Sequence, residues 1–373
     1  MKFTIDRPSF LKVLSIVNVA IGQKSPTPAF LNFKLEVNEK GLNVVGSDND
    51  ITIESLLPFV KEDKSLISDY TYGSTLISAK YLLEIIRRLD CQTVTLEIID
   101  DVIVQISDNK SHFQLNSMRS EEYPDLDLSV SGEEITLNTD NFKKIVSQTA
   151  FAASLKEVRP ILTAINIKSI DGNAEFVATD SYRLAKKMYK LDNTDSFEAN
   201  IPVKVLNEVS KLVEENEITI NISSNKVTFQ FGDTKVFSRL ISGDFPKTSR
   251  MIPNNYPFVL QVNATKFIEA MQRVSLLAIE REKIVKLSLD NDLVEISSKS
   301  EQIGSANERI ELFQYEGGRF DISFNVDYVI DAIKASQSED VILSFAGEMS
   351  AFKVTSPVDD SLVQIITPVR SYY

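Results

Sequence analysis

Apolar and polar positions along the chain repeat one pattern three times. FTIDRPSFLKVLSIVNVAI from Phe3, ITLNTDNFKKIVSQTAFAA from Ile135 and LQVNATKFIEAMQRVSLLA from Leu260 align without a gap. Each opens on an alternating stretch and crosses a polar residue at Asp6, Asn138 or Asn263. Apolar residues then follow at spacings of four and three: Phe10, Leu14, Val17; Phe142, Val146 and the departure Thr149; Phe267, Met271, Val274. Alternation predicts a strand, and the longer spacing predicts a helix with one buried face.

A second segment recurs as ISAKYLLEIIRRL from Ile77, IPVKVLNEVSKLV from Ile201 and FNVDYVIDAIKAS from Phe324. Leu82, Leu206 and Val329 share one column, and Glu84, Glu208 and Asp331 share another. Between the two helices of each unit lies a strand pair, and another follows the second helix; TVTLEIIDDVIVQIS, EITINISSNKVTFQF and DVILSFAGEMSAFKV alternate with period two about a turn. The unit is strand, helix, strands, helix, strands. YPDL at 123–126 and FPKT at 245–248 end the first two units, which predicts α+β domains over 1–126, 127–252 and 253–373. Equivalent units joined head to tail form an arc, and two such chains complete a six-unit ring.

Composition narrows the chemistry. With 373 residues, 43% hydrophobic and 25% charged, the chain has ordinary globular composition and room for several cores. Cys91 is the only cysteine and His112 the only histidine, which excludes a disulfide framework, multi-thiolate metal sites and histidine relays. No apolar run is long enough to span a membrane, and Asp6 and Arg7 stand where a signal peptide needs its apolar core. The expectation is a soluble cytoplasmic protein.

Net charge is −13, which taken as an average argues against nucleic acid. Its distribution argues otherwise. The helical segments 7–24, 79–90, 141–159, 203–213, 265–283 and 326–335 sum to +8 and leave −21 for the remainder. Helices facing inward and sheets facing outward would give a mildly basic bore able to hold a phosphate backbone without reading bases. Each helix alone reads equally well as a solvated face. A protein-binding ring or arc that never touches nucleic acid is the alternative.

Motifs for catalysis are absent. There is no G-x-x-x-x-G-K-[ST], G-x-S-x-G or H-E-x-x-H. Asp48 and Asp50 lack the glycine and distal glutamate of a calcium loop and read as a turn. Asp125 and Asp127 read as linker, His112 as surface, and Cys91 has no neighbouring base. A non-catalytic binding protein without cofactor or metal is expected.

VATDSYRLA (177–185), RLISGDFPKTSRMIP (239–253), SFNVDYVIDAIKA (323–335) and QIITPVR (364–370), with MKFTIDR and the RPIL at 159–162, resemble the bacterial DNA polymerase III β subunit family, the replicative sliding clamps. The resemblance covers the whole chain. It implies a head-to-tail homodimer closing a six-domain ring around double-stranded DNA, with helices inside and antiparallel sheets outside. Such a ring tethers the polymerase and is opened by a separate clamp loader. It also implies a pocket that takes short linear peptides from polymerase, loader and repair proteins. By matching motifs, that pocket would be lined by Leu162, Thr179, Tyr182, Arg183, Leu184, Pro246, Arg250, Met251, Asn325, Tyr328, Met349, Ile365, Pro368, Val369 and Arg370. Lys24 and Lys156 match bore positions, and Phe113 and Leu115 would meet Leu276 and Leu277 of a second copy at the ring seam. Tyr182, where the family often has histidine, Glu282, where some members have an aromatic residue, and the Ser371–Tyr373 tail depart from the pattern.

Overall fold

The computed structural model describes residues 1–100, 102–156, 158–192, 196–278 and 283–370. Glu282 and Ser371–Tyr373 lie outside them.

The first repeat runs β1 (Lys2–Asp6), α1 (Arg7–Val17), β2 (Asn32–Asn38), β3 (Gly41–Ser47), β4 (Ile51–Pro58), the short hairpin β5 (Val60–Lys61) and β6 (Lys64–Ser65), β7 (Ile67–Thr71), β8 (Gly73–Ser78), α2 (Ala79–Arg88), β9 (Thr93–Asp100), β10 (Ile103–Ser107) and β11 (His112–Met118). The second follows as β12 (Glu133–Asn138), α3 (Thr139–Thr149), β13 (Ala164–Ile170), β14 (Asn173–Thr179), β15 (Arg183–Lys190), β16 (Phe197–Pro202), α4 (Val203–Leu212), β17 (Glu217–Ile222), β18 (Lys226–Phe231) and β19 (Thr234–Arg239). The third comprises β20 (Phe258–Asn263), α5 (Ala264–Ser275), β21 (Ile284–Asp290), β22 (Leu293–Ser300), β23 (Gly304–Arg309), β24 (Phe313–Glu316), β25 (Phe320–Asn325), α6 (Val326–Ser336), β26 (Asp340–Phe345), β27 (Phe352–Ser356) and β28 (Asp359–Ile366). Strand pairing is antiparallel in every repeat.

The polar breaks Asp6 and Asn263 work as helix caps, and Asn325 caps the second helix of the last repeat. Asp6 Oδ2 accepts from Ser9 N at 3.1 Å, Asn263 Oδ1 from Lys266 N at 3.1 Å, and Asn325 Oδ1 from Asp327 N at 2.9 Å. The Phe10, Phe142 and Phe267 column is buried with its followers. Thr149 is buried as well, and its hydroxyl donates to Ile145 O at 2.7 Å, so the one polar member of the face is satisfied.

Two features differ from the expectation. The first helices end at Val17, Thr149 and Ser275 rather than extending across the whole basic segments. A 3₁₀ turn follows α1 and α3, and Gly22 with Pro26, and Pro160, oppose further helix. Each strand set is also longer than a pair. Of the added strands, β4 with β19 and β15 with β28 carry sheets from one repeat to the next.

Strand order is the same in every repeat. The strands between the two helices run β4-β3-β2-β8, β15-β14-β13-β16 and β23-β22-β21-β25. The flanking strands run β1-β9-β10-β11, β12-β17-β18-β19 and β20-β26-β27-β28. β4 then pairs with β19 (Ser55↔Thr234), and β15 pairs with β28 (Leu184↔Ile365). Because sheets continue across repeats, the chain packs as two compact units, 1–140 with 208–240 and 141–207 with 241–373. The first contains the thirteen-stranded sheet, the second a nine-stranded and a four-stranded sheet. In the second unit, Phe267, Met271 and Val274 of α5 and Val329 and Ile333 of α6 pack with Phe324, Phe345 and Phe352 as one core.

Candidate peptide-binding site

The segment 179–183 is a tight side-chain-capped turn in the second unit. Asp180 Oδ1 accepts from Tyr182 N (2.9 Å) and Arg183 N (3.0 Å), while Thr179 Oγ1 accepts from Ser181 N at 3.1 Å and donates to Arg183 O at 2.6 Å. Ser181 takes φ 80°. This turn puts Tyr182 at the surface, 61% exposed, and sends Leu184 inward. The end of β28 closes on it: Thr367 N and Oγ1 both donate to Tyr182 O, at 2.9 and 2.8 Å.

Arg183 is committed to its neighbours. Nε reaches Asp180 Oδ2 at 3.0 Å and Nη1 reaches Asp331 Oδ2 at 2.6 Å. The guanidinium also lies 4.6 Å from the Tyr328 ring centroid and 5.4 Å from that of Phe151. Tyr182 stacks on Tyr328 at 6.5 Å and 24°. Burial raises the Tyr328 phenol, and the Asp180 charge adds to it. Arg183 thus positions the aromatic wall.

The floor is apolar. Val177, Leu184 and Ile365 form a buried cluster, and Phe245, Met251, Ile252, Ala351 and Val363 pack on it half-buried. Thr179 and Leu162 are buried too, Leu162 on the 3₁₀ turn Pro160–Thr163 against β13 and β14 and outside that cluster. A second group, Met349, Val369 and Arg370, lines a cleft of about 260 Å³ with Lys286, Asp321, Ser323 and Glu348. Val369 N donates to Ser323 O at 2.8 Å, so the chain after β28 runs from the turn to this cleft through the half-buried Pro368. Pro246 is half-buried beside Phe245, Arg250 is exposed on the turn Thr248–Met251, and Asn325 caps α6 beneath Tyr328.

Sequence reasoning named the rim and part of the floor but missed Val177, Phe151, Phe245, Asp180 and the charged wall Lys286, Asp321 and Glu348. Asp180 had a signal, since aspartate two and three residues before the amides it caps is an Asx turn. Asp331 belonged to a repeated acid column whose other members make different pairs: Glu84 with Arg87 and Arg88, Glu208 with Lys211.

The remaining candidates sit as follows. Lys24 and Lys156 are exposed, on the loops after the first helices instead of on the helices. Three helix bases are engaged: Arg7 with the Ile86 and Cys91 carbonyls, Lys12 with Glu214, Lys144 with Asp359. Phe113 is 37% exposed, Leu276 77%, and Leu115 and Leu277 are half-buried. Asp48 Oδ1 accepts from Asp50 N and Ile51 N as a turn. Asp127 pairs with Lys226 at 2.7 Å. Among the described residues no group of acids, histidine and cysteine is placed to hold a metal ion, and no helix is long and apolar enough to cross a membrane.

Residues 1–127, 136–247 and 249–370 match the family profiles described as the N-terminal, central and C-terminal domains of the DNA polymerase III beta subunit. The chain is 36% identical to the beta sliding clamp of Bacillus subtilis and 34% identical to that of Staphylococcus epidermidis, over 100% of both chains in each case. The crystal structure of the Bacillus subtilis DNA polymerase sliding clamp superposes with a TM-score of 0.96 at 36% identity, covering 100% of both chains. The Streptococcus pneumoniae DNA polymerase III beta chain gives 0.95 at 31%, covering 99% of this chain and 100% of that one. With three clamp domains, mostly antiparallel sheets and full-length similarity, the chain belongs to the DNA polymerase III beta subunit family, the non-catalytic beta sliding clamps.

Proposed function

We propose that two copies of this chain close head to tail into a ring that encircles duplex DNA in the bacterial cytoplasm and tethers the replicative polymerase. Domain limits near 127 and 253 make six similar domains per ring. The observation that carries this reading is the strand order. Each β4-type strand pairs with the last strand of the next repeat, at β4–β19 and β15–β28. The third equivalent pair is open. Among the described residues β23 ends its sheet, and His112–Asn116 of β11 pairs on the β10 side, because β8 meets β11 at Ser117 and Met118. β23 of one copy and β11 of another are therefore complementary edges, and unpaired edges of this kind favour association. Phe113 and Leu115 on that edge supply apolar surface for Leu276 and Leu277 of the second copy.

Lys24 and Lys156 contact phosphates without base readout, so binding to short duplexes is weak and salt-dependent. The Tyr182–Tyr328 wall, the Leu184–Ile365–Met251 floor and the Met349–Val369–Arg370 cleft accept short linear peptides of the polymerase, clamp loader and repair proteins, with apolar anchors on the floor and the charged wall orienting the backbone. The test is topological. Protein loaded by a clamp loader onto nicked circular DNA should stay bound through gel filtration and be lost when the circle is cut once. Equal retention on linear and circular DNA would refute encirclement.

A further inference from the structure

Among the described residues β7 is the last strand of the thirteen-stranded sheet, paired with β1 on one side. It belongs to the first unit and shares no residue with the peptide site. Tyr70 on this strand is the middle ring of a stack of three, with Phe59, just after β4, at 4.2 Å and 27°, and Tyr72, just before β8, at 6.0 Å and 23°. The core does not account for this stack: Tyr70 is 43% exposed and Tyr72 60%, with Val60 beside them at 57%. Contiguous aromatic surface left in water marks an interaction site more often than a structural one. Tyr72 is also a wall of a cleft of about 510 Å³ that includes Glu36, Glu39, Lys40 and Gly73. Gly73 has φ 149°, and a Cβ there would lie 3.0 Å from Met1 Cβ, so the turn that holds Tyr72 at the cleft rim requires glycine.

Charge around the stack is one-sided. Lys2 is paired with Asp69 at 3.3 Å, Lys61 with Asp233 at 3.0 Å and Lys64 with Asp6 at 2.6 Å. Glu62 and Asp63 on the β5–β6 turn, and Glu36 and Glu39 in the cleft, have no ion pair among the described residues, and Lys40 is the cation that lines the cleft with Glu36 and Glu39. A second copy of this edge is a poor occupant. Asp69 takes φ 47° and the β1–β7 register shifts between Lys2 and Thr4, which bends the strand out of line for in-register pairing.

We propose that the Phe59–Tyr70–Tyr72 stack and the cleft beside Tyr72 form a second docking surface, for an extended arginine- or lysine-bearing segment of a partner protein. Tyrosine faces attract a guanidinium or ammonium and cover its aliphatic stem, and Glu36 and Glu39 supply the counter-charge.

The probe is a fluorescein-labelled hexapeptide alternating arginine with valine, titrated against the full chain by anisotropy at low salt and at 0.15 M. Binding should weaken at least tenfold in Tyr72→Ser and in the pair Glu36→Gln with Glu39→Gln, survive in Tyr72→Phe, and be unchanged in Met349→Ala. The two carboxamide changes keep the fold testable if Tyr72→Ser unfolds. Absence of binding, equal binding by all variants, or equal affinity for the glutamate–valine hexapeptide would overturn the proposal. So would self-association through this face, read as a mass change abolished by Tyr72→Ser.

Discussion

Arg183 Nη1 donates to Asp331 Oδ2 at 2.6 Å, joining the start of β15 to α6 across a sequence separation of 148 residues. The same guanidinium holds Asp180 and lies over Tyr328, so one side chain sets both the capped turn and the aromatic wall. Arg183→Ala leaves Asp180, only 14% exposed at its side chain, without its cation. It should cost about 2–4 kcal/mol of stability by urea unfolding. Asp331→Asn keeps a hydrogen-bond acceptor and should cost under about 1 kcal/mol while weakening a polymerase-motif peptide several-fold by calorimetry. If Asp331→Asn leaves peptide affinity unchanged, the Arg183–Asp331 link does not position the site.

Floor and rim should separate in the same assays. Met349 is 56% exposed, so Met349→Ala should cost well under about 1 kcal/mol of stability yet remove roughly 1–3 kcal/mol of peptide binding. Leu184 and Ile365 are fully buried, and truncating either to alanine should cost about 2–5 kcal/mol of stability. A substantial drop in melting temperature for Met349→Ala with peptide affinity intact would make Met349 a packing residue.

Much of the fold was legible because its signals are local. The polar residue before each apolar helix face, Asp6 or Asn263, is the cap that starts the helix, and the Phe10, Phe142 and Phe267 column is the face that buries. The strands that were missed, such as β23 (GSANER) and β11 (HFQLNSM), are exposed along much of their length and carry weak alternation. Their identity depends on partners distant in sequence. The site followed the same division. Tyr182, Met251 and Tyr328 came through family motifs and Asp180 left a local Asx-turn signal, whereas Phe151 and Phe245 meet the candidate site through contacts that no spacing encodes.

Asp6 links stability to pH. Burial would raise its carboxyl, but hydrogen bonds from Lys64, Ser9 and Gln92 outweigh that and hold it at about 2. A carboxyl depressed in the folded state stabilises fully above its unfolded value near 3.8, and that contribution disappears as pH falls towards about 2. Asp6→Asn should therefore lower stability by roughly 1–2 kcal/mol at pH 7, with the gap to wild type narrowing between about pH 4 and pH 2. A gap that stays constant over that window would mean that Asp6 acts only as a neutral cap.

Gly41 closes the β2–β3 hairpin with φ 143°, and a Cβ there would stand 2.1 Å from Leu57 O on the paired strand β4. No side chain can yield, because the obstacle is backbone. Gly41→Ala should destabilise the protein by roughly 1–3 kcal/mol or more. Gly243 and Gly304 have nothing within 4 Å of an added Cβ and differ only by φ, so alanine there should cost less. Equal melting temperatures for the three variants would contradict the close approach at Gly41.

The ring seam can be tested without DNA. The chain mass is 41.9 kDa, so closure of two copies gives about twice that by sedimentation. Phe113→Asp with Leu276→Asp buries like charges at a proposed apolar contact and should yield monomers at micromolar concentration. Both side chains are exposed in the single chain, at 37% and 77%, so the monomer should keep its secondary structure and its unfolding midpoint to within a few degrees. The open edges make a second arm available. Replacing Gln114 on β11 with proline removes one backbone donor from a strand whose β10 side is already paired, with Gln105 opposite Gln114. If His112–Asn116 completes a sheet with β23 of another copy, that change should weaken the dimer as well. A dimer that survives both the aspartate pair and the proline would place the contact elsewhere on the chain and remove the strand-edge argument for closure.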